Sequence, residues 1–124
     1  MTKDAFIEFC AALPGAQIDQ PFEKDFTTTV ARHGATRRWF ALYMEVKGEA
    51  IVNLKCEMLR ADFWRGQFQG VRPAYHMNKQ HWITVVLQSD VPDAILLAMA
   101  EESYELTRRA AGGRSVSACA SRRS

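Results

Sequence analysis

The chain contains few cysteines, no long apolar run and no strong excess of one charge. Its three cysteines, Cys10, Cys56 and Cys119, are widely spaced and form no C-x-x-C pair. This predicts reduced thiols rather than a disulfide framework. No apolar stretch approaches the ~20 residues of a membrane-spanning helix, and Asp4 and Glu8 interrupt the apolar pattern that a secretion signal would need. We therefore expect a cytoplasmic protein with no membrane partner.

The positive charge of the chain is concentrated at its C-terminal end. The formal net charge is +2, but the segment from residue 108 onward contains Arg108, Arg109, Arg114, Arg122 and Arg123. Residues 1–107 therefore carry a formal net charge of −3. The strongly basic surface that is typical of nucleic-acid-binding proteins is thus not predicted for the main part of the chain.

Length and composition predict one domain followed by a tail. A chain of 124 residues, 48% of them hydrophobic, can bury a single core without disulfides or metal. From residue 111 onward the sequence has Gly, Ser, Ala and Arg but no apolar periodicity. We predict a single domain over residues 1–110 and a disordered basic tail over residues 111–124.

Apolar periodicity predicts a helix near each end of the domain. Residues 6, 9, 10 and 13 are apolar at the spacing of one helical face, and Thr2 can cap that helix. A closing amphipathic helix is predicted to begin at Asp93. Between the helices, β-branched and aromatic segments predict four strands, at residues 26–32, 37–46, 50–56 and 83–87. The predicted fold class is α+β, a two-layer sandwich in which both terminal helices cover one face of an antiparallel sheet.

Alternation along the strands predicts that the other sheet face is left bare. Successive side chains of a strand point to opposite faces, so Phe40, Leu42 and Met44 are expected beneath the helices. The opposite rows are expected to form an aromatic and polar surface: Trp39, Tyr43, Asn53, Lys55, Trp82 and Thr84. Such a surface is either a binding platform or is covered by another part of the chain.

The connection from residue 57 to residue 80 is predicted to provide that cover. A short helix is predicted over residues 59–68, anchored by Phe63, Trp64 and Phe68, and residues 70–73 are predicted to form a turn. If the connection folds across one edge of the bare face, a pocket forms between it and the sheet. The expected lining of that pocket is cationic and polar: Lys55, Arg72, His76, Asn78 and His81.

The sequence predicts no catalytic residue, no metal site and no cofactor. His76 and His81 are spaced H-x4-H rather than the H-x3-H that places two ligands on one helical face, and no HExxH, nucleophile elbow or P-loop occurs. Cys56 follows the cation Lys55 and is the only candidate for a reactive thiol. His33 lies in a predicted turn and is expected to be exposed.

Three stretches of the chain resemble a known family. They are NLKC at residues 53–56, GVRPAYHMNKQHW at residues 70–82 and SYEL at residues 103–106. With the predicted elements around them, they are similar to the MmcQ/YjbR family of small bacterial proteins over about residues 2–110. Glu57-Met58 and Gln69 depart from the family pattern, in which an Asp-Pro step and a proline are expected. The resemblance implies a CyaY-like sandwich and DNA binding through a sheet known as a double wing.

Three functions are compatible with these residues. DNA or another nucleic acid could stack on the aromatic side chains and meet the cations. A small anionic ligand could occupy the pocket. The third function is a protein-interaction module, as a monomer or a homodimer. The residues expected to bind nucleic acid or ligand are Trp39, Tyr43, Asn53, Lys55, Arg72, His76, Asn78, Lys79, His81 and Trp82.

Overall fold

A computed structural model describes residues 1–22 and 27–108. These residues form three helices and six strands. In chain order they are α1 (Lys3–Ala11), β1 (Ala16–Asp19), β2 (Thr29–His33), β3 (Trp39–Val46), β4 (Glu49–Lys55), α2 (Met58–Gln67), β5 (Val71–Pro73), β6 (Trp82–Val86) and α3 (Asp93–Arg108). The tail predicted over residues 111–124 lies outside the described residues.

The six strands form one antiparallel sheet in the order β1-β2-β3-β4-β6-β5. Helices α1 and α3 share one face of it, where Phe6 and Leu96 join Val52 in a single buried core. The predicted α+β class and the position of both terminal helices are therefore confirmed. Within the part of the chain that the structure describes, no helix has both the length and the apolar character needed to cross a membrane.

Helix α1 begins where its sequence predicts. The Thr2 side chain accepts a hydrogen bond from the Ala5 backbone N–H at 3.2 Å, which satisfies one of the unpaired donors of the first turn. Phe6 and Cys10, one helical turn apart, are buried against the sheet. The amphipathic pattern and the cap together fix both the start of α1 and the face that it buries.

Strands β1 and β5 were not predicted. The segment Ala16–Asp19 was expected to be a linker, but it pairs with β2 along the sheet edge. Val71–Pro73 was expected to be a turn, but it pairs with β6 at the opposite edge. Both strands are short, and a proline is tolerated only at an edge because it has no N–H for a second neighbour. Their pairing depends on tertiary neighbours rather than on local periodicity.

A β-bulge in β3 reverses part of the predicted face assignment. Ala31 of β2 pairs with Ala41, whereas the next residue of β2 pairs with Trp39, so Phe40 is an extra residue in β3. Phe40 and Ala41 therefore both contribute to the core beneath the helices. From there on the alternation is shifted by one residue, and a one-residue shift moves each side chain to the opposite face.

Tyr43 is the residue for which this shift matters most. It pairs with Val52, a core residue on the helix side, and the Lys3 ammonium of α1 lies 5.0 Å from its ring centroid. The expectation that Tyr43 lies on the bare face is therefore wrong, as is the expectation that Leu42 and Met44 lie beneath the helices. In β4 and β6 the predicted alternation is confirmed, since the residues that join the main core there, Val52, Leu54, Ile83 and Val85, belong to the expected row.

Ser103 of α3 closes the gap that the bulge leaves between β3 and β4. Its hydroxyl accepts a hydrogen bond from the Lys55 backbone N–H at 2.8 Å and donates one to the Phe40 carbonyl. One side chain thus satisfies two backbone groups that would pair with each other in a regular ladder. Ser103 is completely buried, so bulk water does not compete for these two hydrogen bonds.

Candidate functional site

The sheet face away from α1 and α3, here called the open face, is largely covered. Val30, Leu42 and Ile51 lie on it and are nevertheless buried. Phe22 packs edge-on against Trp39, with ring centroids 6.3 Å apart, and residues 74–81 cross the other half of the face. Two places on this face bring charged and aromatic side chains together, one at each end of β4.

A closed set of hydrogen bonds fixes the segment that crosses the open face. The Tyr75 backbone N–H donates to Thr84 Oγ1 at 2.8 Å, and the Thr84 hydroxyl donates to Asn53 Oδ1. Asn53 Nδ2 donates in turn to the Tyr75 carbonyl at 2.9 Å. Asn53 was expected to bind ligand, but it is fully buried and both ends of its amide are used within the protein. Its position indicates that it anchors the segment.

At one end of β4, two tryptophans and a lysine come together. Trp39 begins β3, Lys55 ends β4 and Trp82 begins β6. Antiparallel pairing therefore brings these three residues to the same end of the sheet. The Lys55 ammonium lies 5.4 Å from the Trp82 ring centroid, in cation–π geometry. Arg37 and Arg38 directly precede Trp39 and are exposed. We call these five residues the basic aromatic end.

The charge on Lys55 is destabilised in its surroundings. Partial burial lowers the pKa of its ammonium, and the positive charge of Arg38 lowers that pKa further. The positive charges of Lys55 and Arg38 repel each other at this partly desolvated end of the sheet. An anion bound next to Lys55 would favour the charged form of its ammonium.

At the other end of β4, a cavity of about 340 Å³ opens on the same face. Its lining includes Val46, Ile51, Arg72, Tyr75, His76 and Lys79. Arg72 crosses β6 to form a two-pronged ion pair with Glu49, at 2.8 and 3.1 Å. The pair is exposed, and it forms one wall of the cavity.

The predicted pocket is thus present, but its lining is only partly the one expected. Arg72 and His76 line it, whereas Lys55, Asn78 and His81 are not among its lining residues. The Asn78 side chain accepts a hydrogen bond from the Gln80 backbone N–H at 2.8 Å and shapes the loop instead. The His81 carbonyl accepts from the Cys56 N–H at 2.8 Å, which continues the β4–β6 ladder.

Cys56 is not activated. It is buried, and burial raises the pKa of its thiol to about 11. Burial likewise raises the pKa of Cys10 to about 12. Both thiols are therefore protonated at neutral pH, whereas a nucleophilic cysteine requires the thiolate. Across residues 1–22 and 27–108, no group of three or more His, Cys, Asp or Glu side chains is arranged to hold a metal ion.

His33 is buried, contrary to its prediction as an exposed turn residue. It is the last residue of β2 and is only 5% exposed. Its ring lies 5.2 Å from that of Phe40 and 4.7 Å from that of Tyr104, and its Nε2 lies 2.9 Å from Thr107 Oγ1. The signal that could have found it is alternation: His33 is two residues after Ala31, which is a core residue of the same strand.

Helix α2 lies on the helix side of the sheet and does not cover the open face. Its Ala61 belongs to the main core, and Arg60 pairs with Glu102 of α3 at 2.8 Å. Phe63 was expected to anchor the segment but is 56% exposed. The cover of the open face comes instead from the loop that follows β5.

The architecture and the two places on the open face define a class of protein. It is a small α+β sandwich whose polar and aromatic side chains emerge at the two ends of the open face. The chain belongs to the YjbR family, because the family model described as YjbR matches residues 11–106.

Individual relatives agree with this assignment. The chain is 33% identical over 105 residues to the uncharacterized protein YjbR of Escherichia coli K12, covering 85% of this chain and 86% of that protein. It is 30% identical over 118 residues to the uncharacterized protein YyaQ of Bacillus subtilis, covering 87% of this chain and 99% of that protein. A crystal structure of a protein from Pseudomonas syringae superposes with a TM-score of 0.81 at 30% identity, covering 87% of this chain and all of the other.

Proposed function

We propose that this protein binds nucleic acid, with single strands preferred, through the basic aromatic end. The observation that supports the proposal is the Lys55 ammonium held over the Trp82 ring, on the face that also carries Trp39. Base–aromatic stacking contributes about 1–3 kcal/mol per base, and adjacent cations neutralise the backbone phosphates. A nucleic-acid-binding role is also compatible with the expected cytoplasmic location.

The proposed binding surface is one end of the open face, not the whole of it. The middle of that face is covered, and Tyr43 lies on the helix side. Five other arginines form ion pairs with carboxylates: Arg32, Arg60, Arg65, Arg72 and Arg108. A local basic patch of this kind predicts modest affinity with a shallow dependence on salt.

The test is the binding of a fluorescent single-stranded oligonucleotide to the full chain, measured by anisotropy over a series of salt concentrations. Lys55→Met keeps the aliphatic stem over Trp82 but removes the charge, and Arg37→Gln removes a second cation. We expect each change to weaken binding at least fivefold and to lower the salt slope by about one. Lys47→Gln, an exposed lysine in the β3–β4 turn at the far end of β4, is the matched control.

Two results would overturn the proposal. One is the absence of binding at low salt by the unaltered chain. The other is an equal loss of affinity in Lys47→Gln and Lys55→Met, which would assign the binding to net charge alone. A duplex that binds more tightly than a single strand would contradict the stated preference for single strands.

A further inference from the structure

The cavity at the far end of β4 is a separate feature from the basic aromatic end. It lies between the β3–β4 hairpin and the loop after β5, with Val46 and Ile51 on one side and Tyr75 on the other. The backbone of Tyr75 is held by Thr84 and Asn53. The wall is therefore fixed before any ligand arrives, which reduces the entropy cost of binding.

The floor of the cavity is mainly apolar, and the hydroxyl proton of Thr84 is already used within the protein. Val46, Ile51, Pro73 and Ala74 supply aliphatic surface. The Thr84 hydroxyl, also in the lining, already accepts from Tyr75 and donates to Asn53. A polar group placed against this aliphatic surface would lose hydration with little compensation, so we expect the inserted part of a ligand to be apolar.

The volume of the cavity limits the size of that apolar part. An engineered cavity of ~150 Å³ in another protein holds one benzene ring. At about 340 Å³, this cavity has room for a fused pair of rings or a short acyl chain. Tyr75 supplies an aromatic wall against which such a group can pack.

The rim of the cavity is cationic. Arg72 and Lys79 belong to the lining, against a single carboxylate, that of Glu49. Glu49 is already occupied by the two-pronged bond to Arg72, which also orients the guanidinium. Lys79 forms no ion pair with any residue that the structure describes. The rim thus attracts an anion and repels a cation.

We propose that this cavity binds an amphipathic organic anion, specifically an aryl or short acyl carboxylate. The hydrocarbon part lies against Val46 and Ile51, and the carboxylate meets Lys79 and Arg72 at the rim. Both Nη atoms of Arg72 already donate to Glu49, so the ligand carboxylate meets the Lys79 ammonium and the guanidinium N–H groups of Arg72 that do not point at Glu49. This site does not depend on nucleic-acid binding, because none of the residues of the basic aromatic end lines it.

The probe is naphthoate, titrated into the full chain by calorimetry, with chemical shifts of backbone amides to locate it. Naphthamide has the same ring system without the charge, and acetate has the charge without the rings. We expect naphthoate to bind at least tenfold more tightly than naphthamide, and acetate to give no measurable heat. The largest shift changes are expected at Ile51, Tyr75 and Lys79.

Two variants and one control assign the binding to the cavity. Val46→Phe fills the cavity from a half-buried position, and Arg72→Gln leaves the Glu49 carboxylate facing the ligand unpaired. Each is expected to weaken naphthoate binding at least tenfold while the circular dichroism spectrum stays unchanged. Arg108→Gln is the matched control, since it breaks an exposed Arg–Glu pair of the same type on α3, away from the cavity.

Three outcomes would overturn the inference. Equal affinity for naphthoate and naphthamide would show that charge at the rim is irrelevant. Unchanged binding in a folded Val46→Phe or Arg72→Gln protein would place the ligand elsewhere. Absence of any heat or shift change with naphthoate at millimolar concentration would show that the cavity does not take this class of anion.

Discussion

Ser103 connects a helix to an irregular point of the sheet through a single hydroxyl. It accepts from the Lys55 N–H and donates to the Phe40 carbonyl, so that the bulge in β3 leaves neither backbone group unpaired. Without the bulge, Trp39 would alternate in step with Ala41 and Tyr43 and would lie on the helix side with them. Ser103 therefore supports the placement of Trp39 beside Lys55 and Trp82.

Replacing Ser103 by alanine is expected to destabilise the protein by about 2–4 kcal/mol. The reason is that each buried backbone group left without a partner costs roughly 1–3 kcal/mol. Urea unfolding followed by circular dichroism measures this loss. Glu101→Ala, a neighbouring exposed position on α3, serves as the control and is expected to change the free energy of unfolding by no more than about 0.5 kcal/mol.

A loss below about 1 kcal/mol in Ser103→Ala would contradict this account. It would mean that β3 and β4 close the gap on their own, with Lys55 pairing directly to Phe40. Amide exchange at Lys55 distinguishes the two cases, because its N–H stays protected only if it finds a new acceptor.

Several residues of the segment 70–82 have structural roles that cannot be predicted from their residue types. A Cβ atom on Gly70 would lie 2.1 Å from Ser89 Oγ, so a side chain cannot fit there without displacing Ser89. The Gly70 N–H donates to the Asp90 carboxylate at 2.8 Å. These contacts join positions about 20 residues apart. Only the folded structure can therefore distinguish a structural glycine here from one that serves a ligand.

Helix α2 illustrates how an aromatic cluster can mislead at the scale of one element. Phe63 and Trp64 are adjacent, so they lie on different sides of the helix. Trp64 packs against the core, whereas Phe63 and Leu59, one turn earlier, are exposed. The apolar composition of the segment predicts a helix correctly but does not specify which aromatic side chain it buries.

The two aromatic positions of α2 are expected to differ in their effect on stability. Phe63→Ser removes a ring that is 56% exposed and packs edge-on against Trp64, and is expected to change the free energy of unfolding by about 1 kcal/mol or less. Trp64→Ser removes a ring that contacts the core and stacks on Phe68, and is expected to cost about 2 kcal/mol or more. Thermal or urea unfolding of the two variants provides the comparison, and the reverse order would contradict the placement of α2.

The elements that the sequence predicts correctly are the three helices and the four strands of five or more residues. Helices α1 and α3 have apolar residues at helical spacing, and β2, β3, β4 and β6 are rich in β-branched and aromatic residues. Strands β1 and β5 are too short to show alternation. The bulge at Phe40 involves one additional residue, and no local pattern marks it.

At the scale of the molecule, the sequence predicts the part of the candidate site that is formed by residues at the ends of strands. The convergence of Trp39, Lys55 and Trp82 follows from antiparallel order, which the hairpin pattern predicts. The cavity lining was not fully predictable, because the path of residues 74–81 is set by hydrogen bonds from Asn53 and Thr84 across the sheet. Sequence spacing alone contains no information on which loop side chains such a path turns inward.

The stability of the whole domain is expected to fall on mild acidification because of His33. Burial lowers the pKa of its imidazole below 6.5, the Arg108 and Arg38 charges lower it further, and a backbone hydrogen bond with Tyr104 opposes the shift. As pH falls, the unfolded chain takes up this proton before the folded one does. The stabilisation is thus complete above about pH 6.5 and is lost as pH falls from there toward the folded pKa.

Urea unfolding at a series of pH values measures this dependence. In His33→Gln the decline just below about pH 6.5 is expected to become shallower, because the titrating group is gone. His81→Gln, at an exposed histidine, is the control and is expected to retain the decline. An identical slope in the unaltered chain and His33→Gln would show that another group is responsible.

The two margins of the sheet limit how copies of this protein can associate. The outer strands are brief, with 4 residues in β1 and 3 in β5, and the latter ends in a proline. Extended backbone donors and acceptors are therefore scarce on either flank, which discourages the strand-by-strand growth that leads to fibrils. We therefore expect association through the described residues, 1–22 and 27–108, to rely on side-chain surfaces and to respond to substitutions on them rather than to blocking of the backbone.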